Sequence, residues 1–215
     1  MFNRLRRTFV NIAFLLFPVA CFLSAFSSDF IYVILKRGAF DEHSVKMTSS
    51  IFCIYALSSI FYAFRGLLSR VFIIMNDMKT PMISGIIFLF LNIFISYILS
   101  IHFGIKGVAI GAFLATACSF IYQLLILKYK FIFNFKFHTA SLNKIVISTI
   151  ISAGSCTVLF SFQQFTNKYL RFSLEAIVFI IIYVLFLFIF KSKELENTIA
   201  VTKKRFFTTK CNHVH

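Results

Sequence analysis

The sequence predicts an all-α integral membrane protein with six transmembrane helices and both termini in the cytoplasm. Of its 215 residues, 60% are hydrophobic and 13% are charged. The mean hydropathy of +0.89 lies far outside the range of soluble globular domains. Six apolar stretches of about twenty residues are each long enough to cross the hydrocarbon core of a bilayer.

The predicted spans follow one another along most of the chain. They are Phe9 to Phe26, Met47 to Leu68, Pro81 to Ile101, Val108 to Leu127, Ile145 to Phe162 and Phe172 to Phe190. A break at Ser27-Ser28-Asp29 predicts a short helix that ends near Gly38, because Ser and Asp cap helix starts and Gly suits helix ends. One alternative treats residues 1–28 as a cleaved signal or lipoprotein leader, although no clean cleavage site follows.

The distribution of positive charge predicts the orientation of these spans. With the N-terminus placed in the cytoplasm, most of the 22 Lys and Arg residues fall on the cytoplasmic side. Cytoplasmic loops carry such an excess, so we expect an even number of spans with both termini inside. The net charge of +15 therefore needs no nucleic-acid partner, and the apolar runs leave no soluble face for a basic patch.

The sequence contains no pattern typical of a catalytic or metal site. Its five cysteines show no paired spacing, and four of them lie in apolar runs, where Cys acts as a packing residue. The adjacent residues Asp41, Glu42 and His43 cannot converge on one point from a helix or a strand. We therefore expect no catalytic residues, no metal, no cofactor and no enzymatic activity.

Small and polar residues predict how the spans pack. Gly107, Gly111, Ala115 and Ser119 recur every four residues in the fourth span and therefore lie on one helix face. Small residues let helices approach closely in lipid, so this face is expected to contact another helix. Asn92, near the middle of the third span, is expected to bond to a neighbouring helix. The sixth span is almost entirely large and apolar, which is typical of a helix surrounded mostly by lipid.

Three ionisable residues interrupt the apolar pattern around the second span. Arg65 lies roughly 15 Å from the end of its helix, at 1.5 Å per residue. It either extends to the membrane surface or has a functional role within the membrane. Arg70 and Asp77 are seven residues apart and share nearly one helix face. The sequence leaves three roles open for Arg70 and Asp77: they pair with each other, they hold a gate, or they are separate interfacial charges.

Three short patterns lie at the edges of the first four spans, and a fourth lies inside the third span. They are Arg37-Gly38-Ala39-Phe40, then Leu67, Leu68, Arg70, Phe72, Asp77, Lys79, Thr80 and Pro81, then Leu91-Asn92, and finally Gly104, Gly107 and Ala109. In order, spacing and membrane side they resemble the MurJ (MviN) family of lipid II flippases, part of the multidrug/oligosaccharidyl-lipid/polysaccharide exporter group. Two places depart from the family: its Tyr-Ala-Arg is Ile73-Ile74-Met75 here, and its usual Gly before the Asp is Asn76.

The resemblance implies which part of a flippase this stretch forms. Family members have fourteen spans, and the six predicted here resemble the last six. In the family, the first two spans with the seventh and eighth line the headgroup cavity, whereas the last two are thought to form a groove for the lipid tail. We accordingly expect residues 1–137 to form a four-span part, 138–190 the two tail-groove spans, and 191–215 a basic cytoplasmic tail.

The resemblance also implies a location, partners and site residues. The chain is expected in the bacterial plasma (inner) membrane, in contact with membrane lipid and with a lipid-linked peptidoglycan precursor. A chain carrying the missing N-terminal spans would be its protein partner. Arg37, Arg70 and Asp77 would be gate or hinge elements at opposite surfaces, with Arg65 as a further candidate along the substrate path.

Several functions remain open at this point. The leading hypothesis is the C-terminal part of a lipid II flippase for cell-wall synthesis, active only with the missing spans. Within transport, the alternatives are a flippase for another polyprenyl-linked glycan and an inactive truncated remnant. From other classes come a membrane-embedded lipid-modifying enzyme, which would have to use Asp41 and Glu42, and a noncatalytic scaffold subunit.

Overall fold

The computed structural model describes residues 2–36, 41–130, 139–161 and 168–189, in which every regular element is an α-helix. The helices are α1 (Phe2–Ala25), α2 (Ser27–Leu35), α3 (Glu42–Ile74), α4 (Lys79–Phe103), α5 (Ile105–Lys130), α6 (Thr139–Ser161) and α7 (Lys168–Ile189). The predicted all-α class is confirmed for these residues.

Each predicted span corresponds to one long helix, and most helices extend beyond the apolar stretch. The span predicted over Met47 to Leu68 is part of α3, which has 33 residues. By length and apolar composition, five of the described helices can cross a membrane, whereas the apolar part of α6 is the shorter stretch Asn143–Leu159. The predicted short helix is α2; it ends at Leu35, and Gly38 lies outside the described residues.

The boundary between α1 and α2 lies at Phe26, not at the expected break at Ser27-Ser28-Asp29, and no side chain caps α2. The N–H of Phe30 donates to the carbonyl oxygen of Phe26 at 2.9 Å, so the helical ladder is hardly interrupted. Phe26 is only 4% exposed and packs against Cys156 of α6 and Phe179 of α7. The expected cap was therefore wrong, and a buried aromatic residue lies at the boundary instead.

Successive long helices run between two ends of the bundle. The start of α1, the turn between α3 and α4, and the end of α5 lie at one end, which we call the N-terminal end. Helix α2, the turn between α4 and α5, and the start of α7 lie at the opposite end. Helix α5 packs against α4 and α3, α1 against α3 and α6, and α7 against α6 and α2.

The largest apolar core joins α1, α3 and α5. The ring of Phe9 stacks on that of Phe64 with 5.5 Å between centroids, and Leu68 is fully buried beside them. The buried members are Phe9, Ala13, Ala20, Ile60, Phe64, Leu68, Val71, Phe72 and Leu127. Because lipid tails are as apolar as these side chains, the core is stabilised by close packing and not by removal from water.

The closest helix contact lies between α4 and α5. A Cβ added to Gly111 would sit 2.7 Å from the Cα of Ser96, and one added to Gly107 would sit 2.8 Å from the backbone N of Ser100. Neither distance is tolerable, so only glycine permits this approach. Ala115, two turns from Gly107, is fully buried on the same face.

Helix α7 buries one complete face, which the sequence pattern did not predict. Glu175 is 0% exposed, and Phe179 and Tyr183 are almost fully buried. The Tyr183 hydroxyl donates to the carbonyl oxygen of Phe14 in α1 at 2.9 Å. The rest of the helix is mostly exposed, with 17% of Tyr169–Phe186 buried, in keeping with the expectation of a helix surrounded mostly by lipid. The signal for the buried face was Glu175 itself, because an ionisable side chain in a membrane span usually faces the protein interior.

The α4–α5 contact predicts the outcome of a single methyl substitution. We expect Gly111→Ala to lower the free energy of unfolding by about 1–3 kcal/mol, because the methyl group overlaps the Ser96 backbone. Thermal or denaturant unfolding in detergent micelles measures this change. Gly66→Ala is the matched control, since a Cβ there meets no atom within 4 Å, and it should be neutral or stabilising. Equal effects of the two substitutions would contradict the prediction.

Candidate functional site

Asp77 links three helices at the N-terminal end of the bundle. Its Oδ2 accepts a hydrogen bond of 2.7 Å from the Nζ atom of Lys130, which is the last residue of α5. The same carboxylate accepts bonds from Thr80 Oγ1 at 2.8 Å and from the Thr80 backbone N–H at 3.3 Å. Asp77 therefore caps the start of α4 and pairs with the end of α5. We call Asp77, Thr80 and Lys130 the inner clip.

These bonds set the ionisation of the carboxyl group. The hydrogen bond from Lys130, with further bonds from Thr80, lowers the pKa of Asp77 below its ordinary value. Asp77 is only 8% exposed, whereas the Lys130 side chain is 54% exposed. The clip is thus a buried carboxylate held by a lysine that still reaches solvent.

The turn before the clip requires an unusual backbone conformation at Asn76, whose φ is 59°. The N–H of Asp77 donates to the Phe72 carbonyl at 2.9 Å, and the N–H of Asn76 donates to the Ile73 carbonyl at 3.0 Å. This is the hydrogen-bond pattern with which many helices end in a left-handed residue. Asn adopts the left-handed region more readily than most non-glycine residues. It can therefore replace the Gly that is usual at this place in the family that the sequence resembles.

Arg70 does not pair with Asp77. It is exposed on α3 beside a cavity of about 120 Å³ that Thr8 and Phe9 of α1 also line. The pairing was allowed by the spacing along α3, but the helix ends between the two residues and the turn directs Asp77 towards Lys130. Arg37, the candidate in the other loop, lies outside the described residues.

Arg65 lies between α3 and α4 within the membrane-spanning part. The centre of its guanidinium is 4.6 Å from the centroid of the Phe88 ring, close enough for a cation–π contact. Its Nη1 atom is buried and has no hydrogen-bond partner among the described residues. Arg65 is thus partly retained inside the bundle.

Asn92 bonds within its own helix, unlike the bond expected from the sequence. Its Oδ1 lies 3.0 Å from the Ser96 hydroxyl, one turn further along α4. That hydroxyl also lies 3.3 Å from the carbonyl oxygen of Val108 in α5. A hydroxyl has one proton, so it donates to one of these acceptors at a time. Asn92 is therefore connected to α5 only through Ser96.

A buried polar cluster joins α3, α4 and α5 near the inner clip. The Ser84 and Ser119 hydroxyls are 2.7 Å apart, and Gln123 Nε2 donates to both Ser84 Oγ and Ser69 Oγ at 2.9 Å. Gln123 was missed in the sequence, although it continues the four-residue repeat that begins at Gly107 and includes Ser119. That repeat was the signal, because a polar residue on a packing face needs a partner there.

The two acids that a membrane enzyme would need are engaged in local structure. Asp41 accepts a hydrogen bond from the Ser44 backbone N–H at 2.9 Å and caps α3. This bonding lowers the pKa of Asp41. Glu42 forms an ion pair of 3.1 Å with Lys36. Among the described residues, no group of three or more His, Cys, Asp and Glu side chains could hold a metal ion.

An apolar groove lies between α1 and α7. It has a volume of about 320 Å³ and no polar lining in the described residues. Its lining residues are Phe14, Leu15, Pro18, Val19, Phe22, Leu23, Ala176, Phe179, Ile180 and Tyr183. The groove thus joins the first helix to the last, and α6 does not contribute to its wall. A hydrocarbon chain is the ligand for which such a surface is suited.

Comparisons with known proteins agree on one family. A family model described as "Lipid II flippase MurJ" matches residues 1–180. A "Probable lipid II flippase MurJ" from Thermotoga maritima is 32% identical over 140 residues, which are 64% of this chain and 29% of the relative. The "Lipid II flippase MurJ" of Thermosipho africanus is 26% identical over 179 residues, covering 83% of this chain and 35% of that protein.

The fold also matches a solved structure, "Lipid II flippase MurJ, inward closed conformation". The TM-score is 0.77 at 24% identity, with 87% of this chain and 38% of the other covered. The chain thus spans about a third or less of the curated relatives that it matches. With its membrane-spanning helices, it belongs in the bacterial inner membrane. On the match over residues 1–180, this chain belongs to the MurJ family of lipid II flippases.

Proposed function

We propose that this chain handles the lipid tail of a lipid-linked peptidoglycan precursor as the C-terminal part of a lipid II flippase. The observation that carries the proposal is the apolar groove between α1 and α7. Its walls are entirely apolar, which suits a polyprenyl chain and offers a pyrophosphate or sugar nothing to bind. The role is transport and not catalysis, in keeping with the structural engagement of Asp41 and Glu42.

The headgroup must then be held by the rest of the flippase. Among the described residues, Arg65 is a partly buried cation within the apolar part, and its guanidinium faces Phe88. One such group supports no desolvated site for a pyrophosphate. We propose that the remaining spans, whether in the same polypeptide or in a partner chain, supply the cationic cavity.

We propose that the inner clip stabilises one of the two conformations of the transport cycle. Transporters of this kind move two bundles against each other around a central site. Asp77 and Lys130 hold the turn between α3 and α4 against the end of α5, so these helices would move together while the clip is closed. In this proposal, Arg70 is an exposed interfacial charge on α3.

The proposed tail binding can be tested by placing a photoreactive amino acid in the groove. Val19 lines the groove and is 47% exposed, whereas Ile98 of α4 has a similar exposure of 42% but lies away from it. In membranes that contain the complete flippase and labelled lipid II, position 19 should crosslink to lipid II several-fold more than position 98. Equal yields, with phospholipid as the main adduct at both positions, would disprove tail binding here.

A second prediction concerns the inner clip. Asp77→Asn should lower the free energy of unfolding by roughly 1–2 kcal/mol, a value kept low because Lys130 is half exposed. The pKa of Asp77 is lowered in the folded protein, so its stabilisation is complete above about pH 4 and is lost as the pH falls below that value. Unfolding measured across the acid range should show a smaller loss of stability in the variant than in the wild type.

The matched control for the clip is Asp41→Asn. It also removes a carboxylate with a lowered pKa, but from an exposed cap at the opposite end of the bundle. This variant should retain the acid-range loss that Asp77 contributes. If the two variants had the same pH profile, the clip would have no special part in stability.

The third prediction tests the proposed orientation, with both termini in the cytoplasm. In a variant without native cysteines, Tyr129→Cys lies at the N-terminal end of the bundle, where Tyr129 is 90% exposed. His102→Cys lies near the opposite end. An impermeant maleimide added to spheroplasts should label position 102, whereas position 129 should react only after permeabilisation. The reverse pattern would mean that the orientation is inverted.

A further inference from the structure

Glu175 of α7 is a buried acid that the proposed function does not use. Its side chain is 0% exposed, although α7 is one of the membrane-spanning helices. One carboxylate oxygen, Oε1, accepts a hydrogen bond from Arg171 Nε at 2.8 Å. The other, Oε2, is buried and has no hydrogen-bond partner among the described residues. An oxygen left in this way needs a physical explanation.

Two carboxylates share a single cation at this place. Arg171 Nη2 also lies 4.0 Å from Asp29 Oδ2 in α2. Among the described residues packed against Glu175, α6 contributes the thiol of Cys156, which lies 3.6 Å from the Glu175 carbonyl oxygen. Helix α1 contributes the uncharged ring of Phe22 to the aromatic contacts around α7. One guanidinium therefore faces two acids.

The three groups together have one negative charge in excess, and of the two acids Glu175 is the one without access to solvent. A buried carboxylate that lacks a counter-charge is destabilising by several kcal/mol, and it commonly takes up a proton. Asp29 and Arg171 have side chains 18% and 29% exposed, so water can solvate their charges. Glu175 has no such contact. A sodium ion would need several oxygen ligands at Oε2, whereas a proton needs one.

We propose that Glu175 is a proton-binding site, with the proton on Oε2 when α7 is packed in the bundle. The reaction is the addition of a solvent proton to the carboxylate, which gives a neutral carboxylic acid. The charge of Arg171 is then available to Asp29. Protonation of Glu175 therefore strengthens the ion pair between α7 and α2. Loss of the proton returns Arg171 to Glu175 and weakens that link. This site lies next to Ala176 in the groove wall but does not depend on what fills the groove.

The test is infrared spectroscopy of the 215-residue chain in lipid nanodiscs, with glutamate labelled by ¹³C at the side-chain carboxyl. At neutral pH the wild type should show the carbonyl band of a protonated carboxylic acid, shifted by the label. Glu175→Gln should lose this band, whereas Glu42→Gln should keep it, because Glu42 is an exposed acid. Absence of the band in the wild type, or its persistence in Glu175→Gln, would overturn the proposal.

A second variant tests the charge balance without altering Glu175. Asp29→Asn leaves one acid and one cation, so Glu175 should ionise and the labelled band should be largely lost at neutral pH. If Glu175 had a purely structural role, the band would be unchanged in Asp29→Asn. An unchanged band would therefore overturn the argument that the two acids share the charge of Arg171. This variant also decides the question if Glu175→Gln does not fold. Loss of the wild-type band on replacing potassium with sodium would show a metal site instead of a proton site.

Discussion

The close approach of α4 and α5 is the constraint on which the rest of the structure depends. Two glycines one turn apart, Gly107 and Gly111, lie against the α4 backbone and leave no room for a Cβ. In lipid there is no hydrophobic force to bring helices together, so contact distance decides whether van der Waals attraction is gained. This contact sets the position of α5 beside α4, and the length of α5 then brings Lys130 to Asp77.

The same face of α5 changes character along its length. It begins with glycine, continues through Ala115, and ends in the polar residues Ser119 and Gln123, all of them buried. Polar groups buried in a membrane protein must find partners inside it. Ser84 and Ser69 provide them from α4 and α3. The packing face is therefore held by shape at one end and by hydrogen bonds at the other.

Much of the fold could be predicted from the sequence, but the pairing of charges could not. The bilayer sets the length of an apolar span, so hydropathy alone located the six long helices. Whether Asp77 pairs with Arg70 or Lys130 depends on the turn at Asn76 and on the end of α5, 53 residues away. Likewise, the buried face of α7 with Glu175 has no sequence period, because it is defined by its neighbours.

The turn between α3 and α4 shows why a motif can tolerate the replacement of its glycine. The turn needs one left-handed residue, then a carboxylate that caps α4, then a residue whose hydroxyl bonds to that carboxylate. Asn76, Asp77 and Thr80 meet these needs in order. Pro81 follows within the first turn of α4, where a missing N–H costs nothing. Each requirement concerns the chain's own geometry, so the motif explains the turn without a substrate.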